Sequence, residues 1–293
     1  MFVMGSGLTI YPKEEHMEIE EKHAQLLYPM VRVRTEKAGG SGTIIYSKEI
    51  PDKKGRFETY LLSNFHVVEE AVKQEKQWNP LLQRDVKKDM LAEVSVEQFD
   101  FEYVSWEPTT RGYKADVMIY DKNMDIALLK IKSIKPFPYV AKMFPKEEER
   151  ERLRMFTPVY AIGCGLGHPT FQTRGQLAGF NDIIDNYPYW LSTAPTIFGN
   201  SGGAVFLAET AEYIGIPSRL PVIMLGFGAN AITHMSYFIP IISIYKFLSS
   251  NLFQFIYDPA YTSVQCDKLR KEKREQDERK MAIDMSREEV GQD

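Results

Sequence analysis

Cysteine is scarce in this chain: only Cys164 and Cys266 occur among 293 residues, so at most one disulfide can form. Small secreted enzymes usually carry several disulfides, and the shortage favours a reducing compartment or a fold that is stable without bridges. No run of about 18 apolar residues is present, so we expect no membrane span. Residues 1–15 lack a basic start followed by a long apolar stretch, and we expect no signal peptide. These absences predict a cytoplasmic protein, or one delivered inside a larger particle such as a virion.

Strong positive charge and metal-ligand spacings are also missing. The net charge is −4, so no overall field favours nucleic acid or an anionic membrane. Cys164 and His168 supply only two possible ligands, too few for a zinc site. The remaining histidines outside the motifs below fit no zinc spacing: His16, His23 and His234. The glycines at 163, 165 and 167 are not followed by the Gly-Lys-Ser/Thr of a phosphate loop. We therefore expect no metal and no cofactor.

The most informative segment present is Gly199-Asn200-Ser201-Gly202-Gly203. A serine hydroxyl becomes a useful nucleophile only beside a base, which in turn needs a third group to orient it. One apolar run ends in His66 and another begins at Asp125, so the chain order is His, Asp, Ser, one of the orders known for this triad. We assign Ser201 as nucleophile, His66 as base and acid, and Asp125 as the orienting carboxylate, with Asp121 as the alternative acid.

The glycines around Ser201 predict an oxyanion hole over Gly199, Asn200 and Ser201. They allow a turn in which the N–H groups of Gly199 and Ser201 point at one spot. Loss of one such donor typically costs about 100- to 1,000-fold in rate. Gly202 and Gly203 lack a Cβ and would leave room for substrate beside the nucleophile.

Six segments in this order resemble the trypsin-like serine proteases, and more closely their HtrA-like (Deg) branch than the digestive one. The resemblance covers roughly residues 28–250, and no PDZ module is recognisable after residue 250. The matching segments are Gly39-Gly40-Ser41-Gly42-Thr43-Ile44-Ile45, Leu62-Ser63-Asn64-Phe65-His66-Val67-Val68, Asp125-Ile126-Ala127-Leu128-Leu129-Lys130-Ile131, Val159-Tyr160-Ala161-Ile162-Gly163, the segment of Ser201, and Tyr237-Phe238-Ile239-Pro240-Ile241.

The resemblance implies an all-β, chymotrypsin-like fold of two six-stranded antiparallel β-barrels with short flanking helices, one at about 28–140 and the other at about 156–250. The triad would be divided between the barrels, so the cleft between them would be the active site. Residues 1–27 are interpreted as an arm with a short helix, and 251–293 as a charged tail, helical or disordered. Runs of β-type residues between turn signals predict strands at 30–35, 42–46, 58–63, 92–99, 117–120, 126–131, 158–162, 172–180, 189–192, 204–207, 222–227 and 236–239. A closing helix is expected at 240–252, a surface insertion at 74–90, and a solvated helix or loop at 142–154.

Residues near the nucleophile indicate the substrate preference and the mode of activation. In the family, the position six before the serine lies at the base of the specificity pocket, and here it is Pro195, followed by Thr196. The opposite wall is expected from Gly226, Phe227 and Gly228, so we predict small or medium apolar residues before the cut. Asn200 stands where digestive enzymes carry an acid that pairs with a new N-terminus. Activation by a loop rearrangement or by assembly is therefore expected, without N-terminal clipping.

The sequence thus predicts a serine endopeptidase that acts on protein or peptide substrates. The alternative is a catalytically silent scaffold, in which the barrels form a binding module within an assembly. In either case residues 1–27 and 260–293 are candidate contacts for a homo-oligomer or a larger assembly.

Overall fold

The computed structural model describes residues 17–79, 84–148, 152–226 and 228–290. Eight strands make up the first half: β1 (Met30–Arg34), β2 (Gly39–Glu49), β3 (Phe57–Ser63), β4 (Val72–Asn79), β5 (Arg84–Leu91), β6 (Val94–Glu102), β7 (Trp106–Asp121) and β8 (Ile126–Ile131). Six of them close a barrel in the order β1-β2-β3-β8-β7-β6. Its interior is filled by β-branched and leucine side chains that point inward from alternate positions, among them Val31, Val33 and Leu61.

The remaining two strands of this half, β4 and β5, pair only with each other and form a hairpin outside the barrel. This hairpin is the surface insertion expected at 74–90. Its Trp78, Met90 and Leu91 side chains are exposed, and its sequence is rich in charged residues.

The second half of the described chain contains the remaining strands: β9 (Lys142–Met143), β10 (Pro158–Gly163), β11 (Phe171–Ile184), β12 (Tyr187–Ser192), β13 (Ala204–Leu207), β14 (Glu212–Arg219), β15 (Val222–Leu225), β16 (Gly228–Ala231) and β17 (Ser236–Pro240). The order β13-β10-β11-β12-β17-β14 closes through a pairing of β13 with β14, and β9 adds to β14 as a short parallel strand. The all-β, chymotrypsin-like fold predicted from the sequence is confirmed.

One strand of the second barrel was missed by the sequence analysis. The prediction put 222–227 in the barrel and was wrong there, because β15 and β16 form a separate hairpin. The barrel strand is β14, which contains Gly215 and Pro217, two residues that usually argue against a central strand. A Cβ on Gly215 would lie 2.4 Å from the carbonyl oxygen of Ile239, so glycine is what lets β17 approach this closely.

Helices lie at the ends and at one turn of the fold. α1 (Ile19–Lys22) runs into a π-helical turn at His23–Leu27, α2 (Phe65–Val68) follows β3, α3 (Ile241–Ser250) follows β17, and α4 (Ser263–Val290) ends the described chain. α3 is the closing helix expected at 240–252, and its Ile241, Ile244 and Leu248 are buried in the core around the second barrel. Residues 1–16 of the expected arm lie outside the described residues. The expected 142–154 linker contains β9 and a 3₁₀ turn at Lys146–Glu148.

Candidate active site

The pairing of β3 with β8 brings His66 against Asp125. Ser63 lies opposite Ala127 at the end of this antiparallel pair, so the residues that follow β3 come beside those that precede β8. The Nδ1 atom of His66 is 2.9 Å from both carboxylate oxygens of Asp125, and the backbone N–H of His66 donates to Oδ1 at 3.0 Å. Because both partners of Nδ1 are acceptors, Nδ1 carries the proton and Nε2 is left as the acceptor.

Two further side chains fix Asp125 from other directions. The hydroxyl of Ser218 donates to Oδ2 at 2.7 Å, and the amide of Asn64 donates to the Asp125 carbonyl oxygen, also at 2.7 Å. Asp125 is 8% exposed and has a φ of 57°, a left-handed conformation that aspartate tolerates better than most residues. The carboxylate is therefore held in one orientation, with a hydrogen-bond donor on each of its oxygens.

Ser218 was not found by sequence reasoning. It lies on β14, the strand that the pattern analysis missed, and crosses from the second barrel to reach a carboxylate on the first. A serine between a proline and an arginine carries no local signal of this role. Only the closure of the second barrel brings it to Asp125.

Ser201 lies in a turn whose backbone is fixed at every carbonyl from residue 198 to residue 201. The Phe198 carbonyl accepts the N–H of Leu166 at 2.7 Å, and the Asn200 carbonyl accepts the N–H of Gly203 at 2.9 Å. A trans peptide points its N–H away from its C=O. These two bonds therefore turn the N–H groups of Gly199 and Ser201, which belong to the same peptide units, away from Leu166 and Gly203. The positive φ of Gly199, 96°, suits a residue without a Cβ.

The other two carbonyls of this turn are held by a single residue of the first barrel, Ser41. Its hydroxyl donates to the Gly199 carbonyl at 2.6 Å and accepts the N–H of Cys164 at 2.7 Å. Its own N–H donates to the Ser201 carbonyl at 2.8 Å. Ser41 is fully buried, and its carbonyl accepts the hydroxyl of Ser63 at 2.8 Å. Ser41 thus connects the two barrels directly behind Ser201.

A cavity of about 280 Å³ opens beside Ser201. Its lining is mostly apolar and comes from both barrels and from the β15–β16 hairpin: His66, Thr196, Ile197, Phe198, Asn200, Ser201, Pro217, Ser218, Arg219, Leu220, Val222 and Ala231. Among the described residues, Ser201 Oγ makes no hydrogen bond of its own, although His66 and Ser201 face the same space.

Two closed barrels, a His66 side chain held by the buried Asp125 carboxylate, and a glycine-flanked serine agree with the comparisons with known proteins. The trypsin-like peptidase domain family matches residues 40–216, more than half of the chain. The chain belongs to this family.

Solved structures with the fold of this peptidase domain include the HtrA-type protease AlgW with a tripeptide. It is 20% identical, has a TM-score of 0.54, and the match covers 79% of this chain and 62% of AlgW. A variant of AlgW with a tripeptide is 19% identical with the same TM-score, covering 78% of this chain and 62% of that one. This chain therefore matches less than two thirds of the length of either protease. A comparison with curated proteins gives no match.

The peptidase domain keeps some of the predicted pocket residues together and separates others. Thr196 is buried and lines the cavity beside Ser201. Pro195 is exposed and is not among the lining residues, and its carbonyl accepts the hydroxyl of Thr173 at 2.6 Å. Gly226 and Gly228 lie at the turn end of the β15–β16 hairpin, where a Cβ would meet no atom within 4 Å. Phe227 lies outside the described residues. Pro217, Ser218 and Arg219 line the same cavity as Thr196.

Cys164 and Cys266 form no disulfide, and both thiols are buried. Burial raises the pKa of Cys164 to about 11, so its thiol stays protonated and unreactive at neutral pH. In the part of the chain that the structure describes, no three His, Cys, Asp or Glu side chains gather in a way that could hold a metal ion. Of the helices in these same ranges, not one has the length and apolar character that a bilayer crossing requires.

Proposed function

We propose that this chain is a serine endopeptidase that cleaves protein or peptide substrates through Ser201, His66 and Asp125. The observation that carries the proposal is the His66–Asp125 contact beside a serine whose turn is fixed by four carbonyl hydrogen bonds. A hydroxyl in such a setting gains a base, an orienting carboxylate and two backbone donors, which is what acyl transfer needs.

The reaction follows from these positions. Ser201 Oγ bonds to the carbonyl carbon of the substrate while its proton passes to Nε2 of His66, and the carbonyl electron pair moves onto oxygen. The N–H groups of Gly199 and Ser201 stabilise that oxyanion. When the carbonyl re-forms, the C–N bond breaks and the amine leaves with the proton from His66. Water then attacks the acyl-enzyme by the same proton transfers and releases a carboxylic acid and free Ser201.

The hydrogen bond between Ser201 Oγ and His66 forms in this proposal when substrate enters. Catalytic hydrogen bonds are often long in unliganded enzymes and tighten in the complex. No N-terminal clipping is needed, because the buried Asn200 side chain accepts the N–H of Ile197 at 3.1 Å and does not call for a new amine.

The residue before the cut is proposed to be small or apolar. The cavity beside Ser201 is lined by Ile197, Leu220 and Ala231, among other apolar side chains. An apolar substrate side chain gains about 25 cal/mol for each Å² that such a cavity removes from water. The AlgW structures contain a tripeptide, and a peptide is the ligand that we propose here.

A fluorophosphonate probe tests the proposal, because it reacts with serines that a base activates. We expect the wild-type protein to be labelled, and the Ser201→Ala and His66→Ala variants to remain unlabelled while they stay folded by circular dichroism. If a folded wild-type protein fails to react, the proposal is overturned in favour of the alternative, a protease-fold scaffold that binds partners without cleaving them.

A further inference from the structure

Of the described residues that line the cavity beside Ser201, one carries a permanent charge. That residue is Arg219, which directly follows Ser218 on β14. Arginine stays protonated at all working pH values and presents donors in a planar fork that fits a carboxylate. A cavity with apolar walls and one guanidinium is complementary to a peptide segment that combines apolar and acidic side chains.

Two side chains hold the guanidinium of Arg219, the ring of Tyr189 and the carboxylate of Asp185. The Cζ atom of Arg219 lies 5.1 Å from the centre of the Tyr189 ring, a cation–π contact with a buried side chain. On the other side it donates to the carboxylate of Asp185. The arginine side chain is 33% exposed, whereas that of Asp185 is 69% exposed. The cation is therefore fixed, and its acidic partner is the more exposed member of the pair.

Asp185 lies in the turn between β11 and β12, where both Asp185 and Asn186 have positive φ values of 51° and 69°. An ion pair whose carboxylate is this exposed is weak, because water and salt screen the attraction. A substrate carboxylate can therefore take the place of Asp185 at a small cost. Substrate would also exclude water from the cavity, which strengthens a charge–charge contact.

We propose that Arg219 selects substrates with an Asp or Glu upstream of the scissile bond, and that Asp185 occupies the guanidinium until such a side chain displaces it. This inference rests on the proposed peptidase function and names the substrate class of the same site. An apolar residue immediately before the cut and an acidic residue further upstream would together fill the cavity.

Internally quenched peptides test the inference in matched pairs. Each pair carries valine before the cut, and either Glu or Gln at one of the three positions upstream of it, with alanine elsewhere. At one of these positions we expect wild-type kcat/KM to be about 10-fold higher for Glu than for Gln, because Glu can form a charge-assisted hydrogen bond with Arg219. Arg219→Gln should reduce this ratio to about one, and Asp185→Asn should raise it several-fold, because the competing carboxylate is gone.

Arg56→Gln is the matched control, because it removes an exposed arginine at the far end of β3. Seven residues of strand, roughly 20 Å, separate it from His66, so the Glu/Gln ratio should not change. Equal cleavage of Glu and Gln peptides at all three positions by the wild type would overturn the inference. Retention of the preference in Arg219→Gln would overturn it as well.

Binding measurements separate this inference from the proposed function. The Ser201→Ala variant cannot form an acyl-enzyme, so fluorescence anisotropy of labelled Glu and Gln peptides reports binding alone. We expect the Glu peptide to bind several-fold more tightly, and the difference to shrink as salt is raised. If the wild type cleaves nothing but the Glu preference in binding is present, the proposed function fails and the acidic selectivity stands. Equal binding of the two peptides refutes the selectivity whatever the activity.

Discussion

Ser41 is the residue on which the geometry around Ser201 depends most directly. It holds the Gly199 carbonyl through its hydroxyl and the Ser201 carbonyl through its N–H, and it lies on the opposite barrel from both. The proposed oxyanion donors are peptide N–H groups of the same short turn. Their direction would therefore be set in part by the buried Ser41, which makes Ser41 a positioning residue in the proposed mechanism.

The Ser41→Ala variant should lower kcat by about 10- to 100-fold and change KM much less. It deletes the 2.6 Å bond to the Gly199 carbonyl and leaves the Cys164 N–H without its acceptor. Removal of an oxyanion donor itself costs about 100- to 1,000-fold, so disturbing its support should cost less. Steady-state kinetics on one peptide substrate, with urea unfolding alongside, measures the effect on rate and on stability separately.

Ser47→Ala provides the control for Ser41→Ala. Ser47 lies on the same strand and accepts the N–H of Phe137 at 2.9 Å, away from the serine turn. The Ser47→Ala variant should lose stability without a comparable loss of kcat. An equal fall of kcat in both variants would assign Ser41 a merely structural role.

At the scale of elements, β14 connects the core of the second barrel to the active site. It begins at Glu212, which accepts hydrogen bonds from Arg152 and Thr210 and pairs with Lys142 at 3.2 Å, and it ends at Ser218 and Arg219 beside Ser201. The strand is therefore anchored by a buried carboxylate at one end and contacts the Asp125 carboxylate at the other.

The pKa of Glu212 predicts how this anchor depends on pH. Burial alone would raise this pKa, but hydrogen bonds from Arg152, Thr210 and Lys142 outweigh it and keep the pKa below its ordinary value of 4.5. A carboxyl whose pKa is lower when folded stabilises the protein above its unfolded pKa, and that stability is lost as pH falls through the folded pKa. We expect the free energy of unfolding to decrease as the pH drops below about 4.5.

Glu212→Gln should remove about 1–3 kcal/mol of unfolding free energy at pH 7, and clearly less at pH 3. Urea unfolding at a series of pH values measures this. Glu93→Gln is the comparison, since Glu93 also has a lowered pKa, from its hydrogen bond with Lys132, but is exposed. Its effect should be much smaller. A Glu212→Gln curve parallel to that of the wild type over the whole pH range would contradict the assignment.

At the scale of the whole molecule, the long helix α4 divides into an attached part and a projecting part. Cys266 is fully buried in the core, and Arg270 donates to the Leu252 carbonyl and lies 3.9 Å from the centre of the Phe253 ring. The described side chains from 271 to 280 are exposed. A helix of 28 residues is roughly 42 Å long, so most of it extends beyond the barrels.

Two truncations should therefore behave differently. Ending the chain after residue 275 should leave the melting temperature nearly unchanged, whereas ending it after residue 262 should cost about 2 kcal/mol or more, because an apolar anchor and a buried arginine contact are lost. Scanning calorimetry distinguishes the two. Equal melting temperatures for both proteins would show that α4 adds nothing to the core.

Light scattering on the same two proteins tests the prediction that residues 260–293 contribute to an assembly.

Strands with a strong local sequence pattern were predicted correctly, whereas those that depend on distant contacts were not. The strands at 126–131 and 204–207 were predicted to the residue, because each is an apolar run bounded by clear turn signals. The His66–Asp125 contact was predicted from two motifs, and their roles with Ser201 stay a proposal. In contrast, β14 escaped detection because Gly215 and Pro217 weaken its local pattern. The glycine is explained only by the close approach of β17.

Local pattern therefore specified most of the barrel strands, the closing helix α3 and the candidate triad residues, because periodicity, turn residues and glycine positions act over a few neighbours. Tertiary structure alone decided which side chains from distant parts of the sequence lie near Ser201 and Asp125. The hydrogen bonds of Ser218 and Ser41, and the place of Arg219 at the cavity, depend on barrel closure between segments 93 and 158 residues apart in the two serine cases. No local pattern encodes such contacts, because the strands that create them meet only when both barrels have formed.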